Sequence, residues 1–583
     1  MWALLPPLLR AVFRFAFGPK TLSQALEEHA AGHRAQHILL RFEELTFTFA
    51  QANGLVNRYA DAYRSIGLKK GDTLALLMEN RPSFLWHYLA AGKLGVTISL
   101  VNSHNTGVPL LHSIRVCEPK LVMVGSELWP AFAAVRSELP DGLRVLVDED
   151  VEYPVPSHLP VDVPAWGPCL ETASEDNPPE TGLQGRKDVA AYIYTSGTTG
   201  MPKAAVIRHQ RAVVAGLAAS LGFPVSGDSV VYCCLPLYHS NGLMLATGSN
   251  IVAGGTLALA RRFSAHRFWD DIRHHGATSF IYIGELCRYL MNVAPGPDDR
   301  RHAVRRVMGN GLRPDIWSEF QERFGVERVV EFYASTEGNV SSANLAGPVG
   351  SVGKLSRLGA LVRWDERAED FVRGPEGFMV RCKPGEAGIL LGRIGRIPFD
   401  GYRDEAATQK KILRDVFAKG DQWFNTGDLL RIDSKKYLYF VDRLGDTYRW
   451  KGENVSTFEV QEQISSWPVA SEVNVYGVHV EGTEGRAGMA SVVLDEQAQF
   501  DAGSFKQHVD SSLPGYARPL FVRVSRALDT TGTLKLKKND LRDEGFDPKI
   551  VEDPLYFRHP DEDRYVEMTE QLYADVVSGK LRL

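Results

Sequence analysis

The sequence predicts an α/β protein of more than one domain, and three observations carry that reading. The chain has 583 residues, well beyond the roughly 250–300 at which a single hydrophobic core stops growing. Between residues 40 and 135 short apolar runs alternate with helical stretches, the pattern of strands and the helices that cover them. Near the middle, a strand-like run at 189–194 passes through a polar, glycine-rich loop into an Ala-, Val- and Leu-rich helix at 210–221.

The elements follow in order. The N-terminal segment MWALLPPLLRAVFRFAFGPK is apolar but broken by Pro6, Pro7, Arg10 and Arg14, so it lacks the roughly 20 uninterrupted apolar residues of a spanning helix. No basic residues precede its apolar run and no small-residue cleavage site closes it, unlike a signal peptide. A helix over 8–17 would spread Leu8, Leu9, Val12, Phe13, Phe15 and Phe17 over much of its surface, which suits a membrane interface or packing on its own domain. Residues 73–78 and 96–101 predict buried strands, and 55–66 a helix. From 148 to 187, prolines such as Pro154, Pro160 and Pro179 accumulate and periodicity is lost, which reads as a long surface connection. No repeat of roughly 20–50 residues argues for a solenoid. A last strand-like run, YLYFVDRLGD at 437–446, ends in Gly445 and Asp446. The expected division is an apolar segment at 1–20 with membrane contact, a large domain at 21–444 and a small one at 445–583.

Composition removes several function classes. With 66 Lys plus Arg against 71 Asp plus Glu, the net charge is −5, too even for a nucleic-acid coat. The six cysteines, at 117, 169, 233, 234, 287 and 382, form no CxxC pair and no zinc-like cluster with the 16 histidines. They read as reduced core thiols of a cytosolic protein.

The chemistry starts at 192–203, YIYTSGTTGMPK. A strand delivers the hydroxyls of Thr195, Ser196, Thr198 and Thr199, interleaved with Gly197 and Gly200, and then Lys203. Glycines let backbone N–H groups approach oxyanions, hydroxyls add donors and lysine adds a point charge, which together suit phosphate. The spacing is not GxxxxGK[ST]: the lysine lies three residues after Gly200 and precedes Ala204, so a kinase or GTPase loop is disfavoured.

Six further segments follow: LPLYHSNG (235–242), GNGL (309–312), EFYASTEGN (331–339), WFNTGDL (423–429), DRLGDTYRWKGEN (442–454) and TGTLK (531–535). Singly, each has an ordinary structural explanation. Together and in this order, they resemble the adenylate-forming superfamily of acyl-CoA synthetases, luciferases and adenylation domains. FVDRLGDTYRWKGENV, GNGLRP, IVEDPLYF (550–557) and the two residues between Gly532 and Lys535 resemble more closely its fatty acid transport protein and very-long-chain acyl-CoA synthetase branch.

The resemblance implies a large domain of two α/β subdomains plus a small β-barrel, followed by a mobile α+β domain. It implies ATP-dependent ligation of a long-chain or very-long-chain fatty acid to coenzyme A through an acyl adenylate, with ATP, Mg²⁺ and CoA required. Thr195, Ser196, Gly197, Thr198, Thr199, Gly200 and Lys203 would hold the pyrophosphate. Gly309, Asn310, Gly311, Glu331, Phe332, Tyr333 and Thr336 would receive the nucleotide, with Tyr333 on adenine. Asp428 would accept the ribose hydroxyls and Arg443 donate to ribose or phosphate, while Glu337 offers a hard carboxylate to Mg²⁺. Lys535 would bridge the fatty carboxylate and the α-phosphate, with Lys537 and Lys538 as nearby alternatives. Gly445 matches the hinge, where most relatives carry Asp or Lys, and Lys451, Gly452 and Glu453 would meet pantetheine. Tyr238, His239, Asn241, Gly242, Tyr282 and Gly284 are candidate walls for the acyl chain. Arg300, Arg301, Arg305 and Arg306 suit CoA phosphates or an exposed helix face.

Two competing readings accompany the ligase. One is a transport protein that moves fatty acids without essential chemistry, and the other an acyl-AMP ligase that loads a carrier protein. The ligase reading places the protein in the cytoplasm, peripheral to the inner face of a membrane that supplies its substrate, with no nucleic-acid partner.

Overall fold

The computed structural model describes residues 14–581 except 15, 151, 155–158, 196–200, 366–367, 369, 396–397, 445–446, 451–452, 482, 484 and 531–535. The chain divides into two units: residues 1–312, 316–346 and 395–412 form one, and residues 313–315, 347–394 and 413–583 the other.

The first unit holds two mainly parallel sheets. Thr73–Leu77 and Thr97–Val101 are adjacent central strands of a six-stranded sheet. Every residue of Thr97–Val101 is buried, as a continuous apolar run requires in a sheet covered on both faces. The expected strand at 189–194 is Val189–Thr195, which pairs parallel with Thr97–Val101 and antiparallel with the outer strand Lys203–Arg208. An eight-stranded sheet is built likewise: Thr256–Leu259, Val230–Cys233, Ser279–Ile283, Arg306–Asn310 and Arg328–Ala334 are parallel neighbours, with antiparallel strands at both edges. Asn80 joins the two sheets. Its amide donates to the carbonyls of Leu235 and Ala260, and its oxygen accepts the Leu237 N–H.

The helices begin where their caps allow. The predicted helix at 55–66 is Phe49–Ser65, opened earlier by Thr48 and Gln51, which satisfy each other's backbone N–H groups in a capping box. Pro82–Leu94 starts on its proline and is buried on nearly every side, because it lies inside the unit instead of on its surface. Among its described residues the proline-rich connection contains only short helical turns at Gly167–Leu170 and Pro179–Leu183.

In the second unit, Gly359–Val362, Ala387–Arg393, Gln422–Ile432 and Leu438–Arg443 are successive antiparallel neighbours, the smaller β element that was expected. A mixed sheet follows, in the order Ala470–Val478, Ala487–Leu494, Phe521–Val524, Leu555–Phe557 and Val566–Glu567. Helices Thr457–Ser465 and Ala502–Ser512 accompany it around a core that includes Trp467, Phe505 and Tyr565, which is the expected α+β arrangement.

Two expectations need correction. Cys117, Cys233, Cys234 and Cys287 are buried free thiols, but Cys169 and Cys382 are only half-buried, since both lie outside the parallel sheets. Arg300, Arg301 and Arg305 lie on a loop, and Arg306 opens the strand Arg306–Asn310. The helix ends at Asn292, before the proline-interrupted run PGPDD, so no helix face carries these arginines.

Candidate functional site

In an open α/β sheet, ligands bind beyond the carboxyl ends of the strands, and the first unit gathers its candidate residues there. Thr195 ends its strand opposite Lys203 in the register. Ser196, Gly197, Thr198, Thr199 and Gly200 lie outside the described residues. Residues 401–403 bridge the outer side of Lys203–Arg208: the Val206 N–H donates to the Gly401 carbonyl (2.9 Å) and the Arg403 N–H to that of Ala204 (2.8 Å). Tyr402, buried between these bonds, donates its hydroxyl to Glu337 Oε1 at 2.7 Å. Lys203 Nζ is 5.9 Å from the centre of the Tyr402 ring. Burial and the neighbouring Glu337 carboxylate hold the Tyr402 phenol well above its ordinary range, so it stays a donor.

Glu337 is itself buried, on the turn after Arg328–Ala334. Arg211, from helix His209–Gly222, pins that turn by donating to the carbonyls of Ser335 (2.8 Å) and Glu337 (3.2 Å). The hydroxyls of Thr336 and Ser240 are 3.3 Å apart.

A second group forms across three adjacent strands, where Tyr282, Gly309 and Glu331 are register partners. The Glu331 carboxyl accepts the Tyr282 hydroxyl at 2.5 Å and the Gly311 N–H. Burial pushes Glu331 up to about 8, outweighing the donors that pull it down. Tyr282 is fully buried. The surrounding glycines are required by space: a Cβ on Gly284 would lie 1.7 Å from the Gly311 oxygen, and one on Gly309 2.3 Å from that of Tyr282. In this arrangement Glu331, Tyr282 and Gly284 shape the Asn310–Gly311 loop from behind.

Asn310 accepts a hydrogen bond from Asn241 (2.9 Å). Asn241 opens a π-helical segment, Asn241–Thr247, an irregularity frequent at functional sites. A Cβ on Gly242 would lie 2.5 Å from the Pro236 oxygen. Tyr238 is buried with its hydroxyl 3.1 Å from His104 Nδ1, and the half-buried His239 ring lies 4.7 Å from the Tyr238 ring. Phe332 and Tyr333 are both buried at the end of their strand.

The second unit carries the remaining candidates. Asp428 and Arg443 face each other in register, Arg443 Nε lying 3.2 Å from Asp428 Oδ1. The carboxylate is largely buried and the arginine side chain half-exposed, so the arginine can follow a ligand while Asp428 stays fixed. Lys535 lies outside the described residues, as do Gly445, Lys451 and Gly452. Glu453 begins the strand Glu453–Val455. Lys537 is exposed, and Lys538 donates to the Thr457 hydroxyl at 2.7 Å.

Sequence reasoning missed Tyr402 and Arg211, which stand outside every motif, and Asp442, which stands inside one. Asp442 accepts the Thr457 N–H (2.8 Å) and hydroxyl (3.2 Å) at the start of helix Thr457–Ser465. Only its place beside Arg443 could have drawn attention to it.

Among the described residues no group of three or more His, Cys, Asp and Glu can hold a metal. Mg²⁺ is commonly held by one or two carboxylates together with substrate phosphates. Glu337 is a buried carboxylate on the turn after Arg328–Ala334, and among the described residues the buried Ser335 hydroxyl has no hydrogen-bond partner.

Residues 26–385 match the AMP-binding enzyme family, and residues 459–535 match the AMP-binding enzyme C-terminal domain. Long-chain fatty acid transport protein 2 of Rattus norvegicus is 41% identical over 93% of this chain and 88% of its own. The medium/long-chain-fatty-acid–CoA ligase FadD6 of Mycobacterium tuberculosis is 40% identical over 96% of this chain and 92% of its own. Among solved structures, the anthranilate CoA ligase AuaEII in complex with anthranoyl-AMP superposes with a TM-score of 0.75 at 20% identity, covering 90% of this chain and 96% of that one. ATP-bound MatB from Rhodopseudomonas palustris superposes at 0.74 and 23% identity, covering 90% and 98%.

Proposed function

The chain belongs to the AMP-binding enzyme family, and on that premise we propose that it ligates a long-chain or very-long-chain fatty acid to coenzyme A at the expense of ATP. The observation that carries this reading is the hydroxyl and lysine pair, Thr195 and Lys203, beside the buried Tyr402–Glu337 bond at the carboxyl ends of the strands.

A fatty carboxylate is a poor acyl donor because its leaving group would be oxide. Its oxygen attacks the α-phosphorus of ATP, the bond to the β-phosphate oxygen breaks, and pyrophosphate leaves an acyl adenylate. The obstacle is repulsion between anions, which positioning and fixed donors overcome. Lys203 and the hydroxyls from Thr195 to Thr199 receive the pyrophosphate, Lys535 bridges carboxylate and α-phosphate, and Asp428 and Arg443 hold the ribose. Glu337 holds Mg²⁺, which when bound neutralises phosphate charge. The CoA thiolate then attacks the acyl carbon and AMP leaves. For that step residues 445–583 turn about Gly445, withdrawing Lys535 and bringing in Lys451, Gly452 and Glu453.

The acyl chain lies along Tyr238, His239, Asn241 and Gly242. Contact with the inner face of a membrane falls to residues 1–20, where Phe17 is strongly exposed. Among the described residues no helix is long and apolar enough to cross a membrane.

The test is incubation with ATP, Mg²⁺ and fatty acids of increasing length, with and without CoA, read by mass spectrometry. AMP and acyl-CoA peaking at one length are expected. Adenylate that never passes to CoA would indicate a carrier-loading enzyme. The transport-protein relatives favour one other reading, uptake without chemistry, and transport surviving Lys535→Ala would support it.

A further inference from the structure

Tyr402, which bonds the buried carboxyl of Glu337, lies outside every motif of the sequence. Tyr402 is anchored at three points of its own segment. Its N–H donates to Thr408 Oγ1 (2.9 Å), and its neighbours Gly401 and Arg403 bond the strand that returns from the phosphate loop. Gly401 adopts φ +71°, and a Cβ there would lie 2.4 Å from the Thr408 side chain, so the segment has little room to shift. From this fixed base the Tyr402 hydroxyl meets Glu337 Oε1 at 2.7 Å, with Lys203 beside the ring. One oxygen of Glu337 is thereby occupied and its carboxylate plane set, while no hydrogen bond among the described residues reaches Oε2.

We infer that Tyr402 is a positioning residue that ties the strand after the phosphate loop to Glu337 and presents Glu337 Oε2 to the divalent cation that accompanies the nucleotide. This rests on the reading of Glu337 as the metal-binding carboxylate. In this role Tyr402 acts through Glu337, so its contribution is to the orientation of another group.

The test uses the full chain, without fatty acid or CoA, and measures the dissociation constant of ATP by equilibrium dialysis, once in EDTA and once in saturating Mg²⁺. The ratio of the two constants reports how strongly cation and nucleotide support each other. Tyr402→Phe is expected to leave ATP binding in EDTA unchanged and to lower the ratio by about tenfold, the scale of a lost hydrogen bond to a charged group. Equal weakening in EDTA and Mg²⁺ would mean a merely structural role and overturn the inference, as would an unchanged ratio. Glu337→Gln separates the two claims. If it lowers the ratio and Tyr402→Phe does not, only the role of Tyr402 fails; if it leaves the ratio unchanged, the reading of Glu337 fails. Should Tyr402→Phe not fold, Thr408→Val, which loosens the Tyr402 backbone and spares the Tyr402 and Glu337 side chains, carries the same outcomes.

Discussion

Tyr282 and Glu331, two strands apart in the eight-stranded sheet, are joined by a 2.5 Å hydrogen bond directly beneath Gly309. The same carboxyl accepts the Gly311 N–H, so a buried acid determines the path of the loop expected to receive the nucleotide.

That acid makes stability depend on pH. Its ordinary value is 4.5 and its value in the folded protein is about 8, so between those limits the folded state keeps a proton that the unfolded chain releases. The group favours folding fully below about 4.5, and this advantage declines as pH rises to about 8. Urea unfolding of wild type and Glu331→Gln across this range should show the difference between them falling with pH and then levelling.

Arg81 is almost wholly buried, 2.9 Å from Glu127 and 3.3 Å from Asp148. Asp148 in turn meets His87 at 3.1 Å. Arg81→Leu would strand two buried carboxylates and is expected to destabilise the protein by about 3–5 kcal/mol. Chemical denaturation measures this, and a change within error would show that the carboxylates find other partners.

Asp428 is fixed by its strand and Arg443 is half-exposed. Asp428→Asn should weaken ATP binding by roughly tenfold to a hundredfold, as loss of charge-assisted bonds to ribose would, and leave the melting temperature nearly unchanged. Isothermal titration with ATP decides it.

The three neighbouring lysines separate by assay of pyrophosphate release. Lys535→Ala is expected to lower adenylate formation on the order of a hundredfold or more. Lys537→Ala should change little, because that side chain is exposed. Lys538→Ala loses the bond to Thr457 and should cost about 1 kcal/mol of stability with adenylation largely kept.

The order of the motifs, and with it the family and the α/β class, was legible in the sequence. A run such as Thr97–Val101 must be buried on both faces to shed water, and a strand ending in Thr195 must present a hydroxyl at its carboxyl end. Those are local properties, set by side-chain polarity and by the two-residue period of a strand. Tyr402, Arg211 and Asp442 were not legible, because each acts on a partner distant in the chain: Tyr402 on Glu337, Arg211 on the carbonyls of Ser335 and Glu337, Asp442 on Thr457. Glu331 is expected at the nucleotide from its place in EFYASTEGN, and the structure adds that its carboxyl is directed to Tyr282 and Gly311. Residue type and spacing alone determined which chemistry the chain carries. Which side chains face the ligand and which hold those that do was decided only by the tertiary structure, because hydrogen-bond partners and burial depend on contacts that no local pattern encodes.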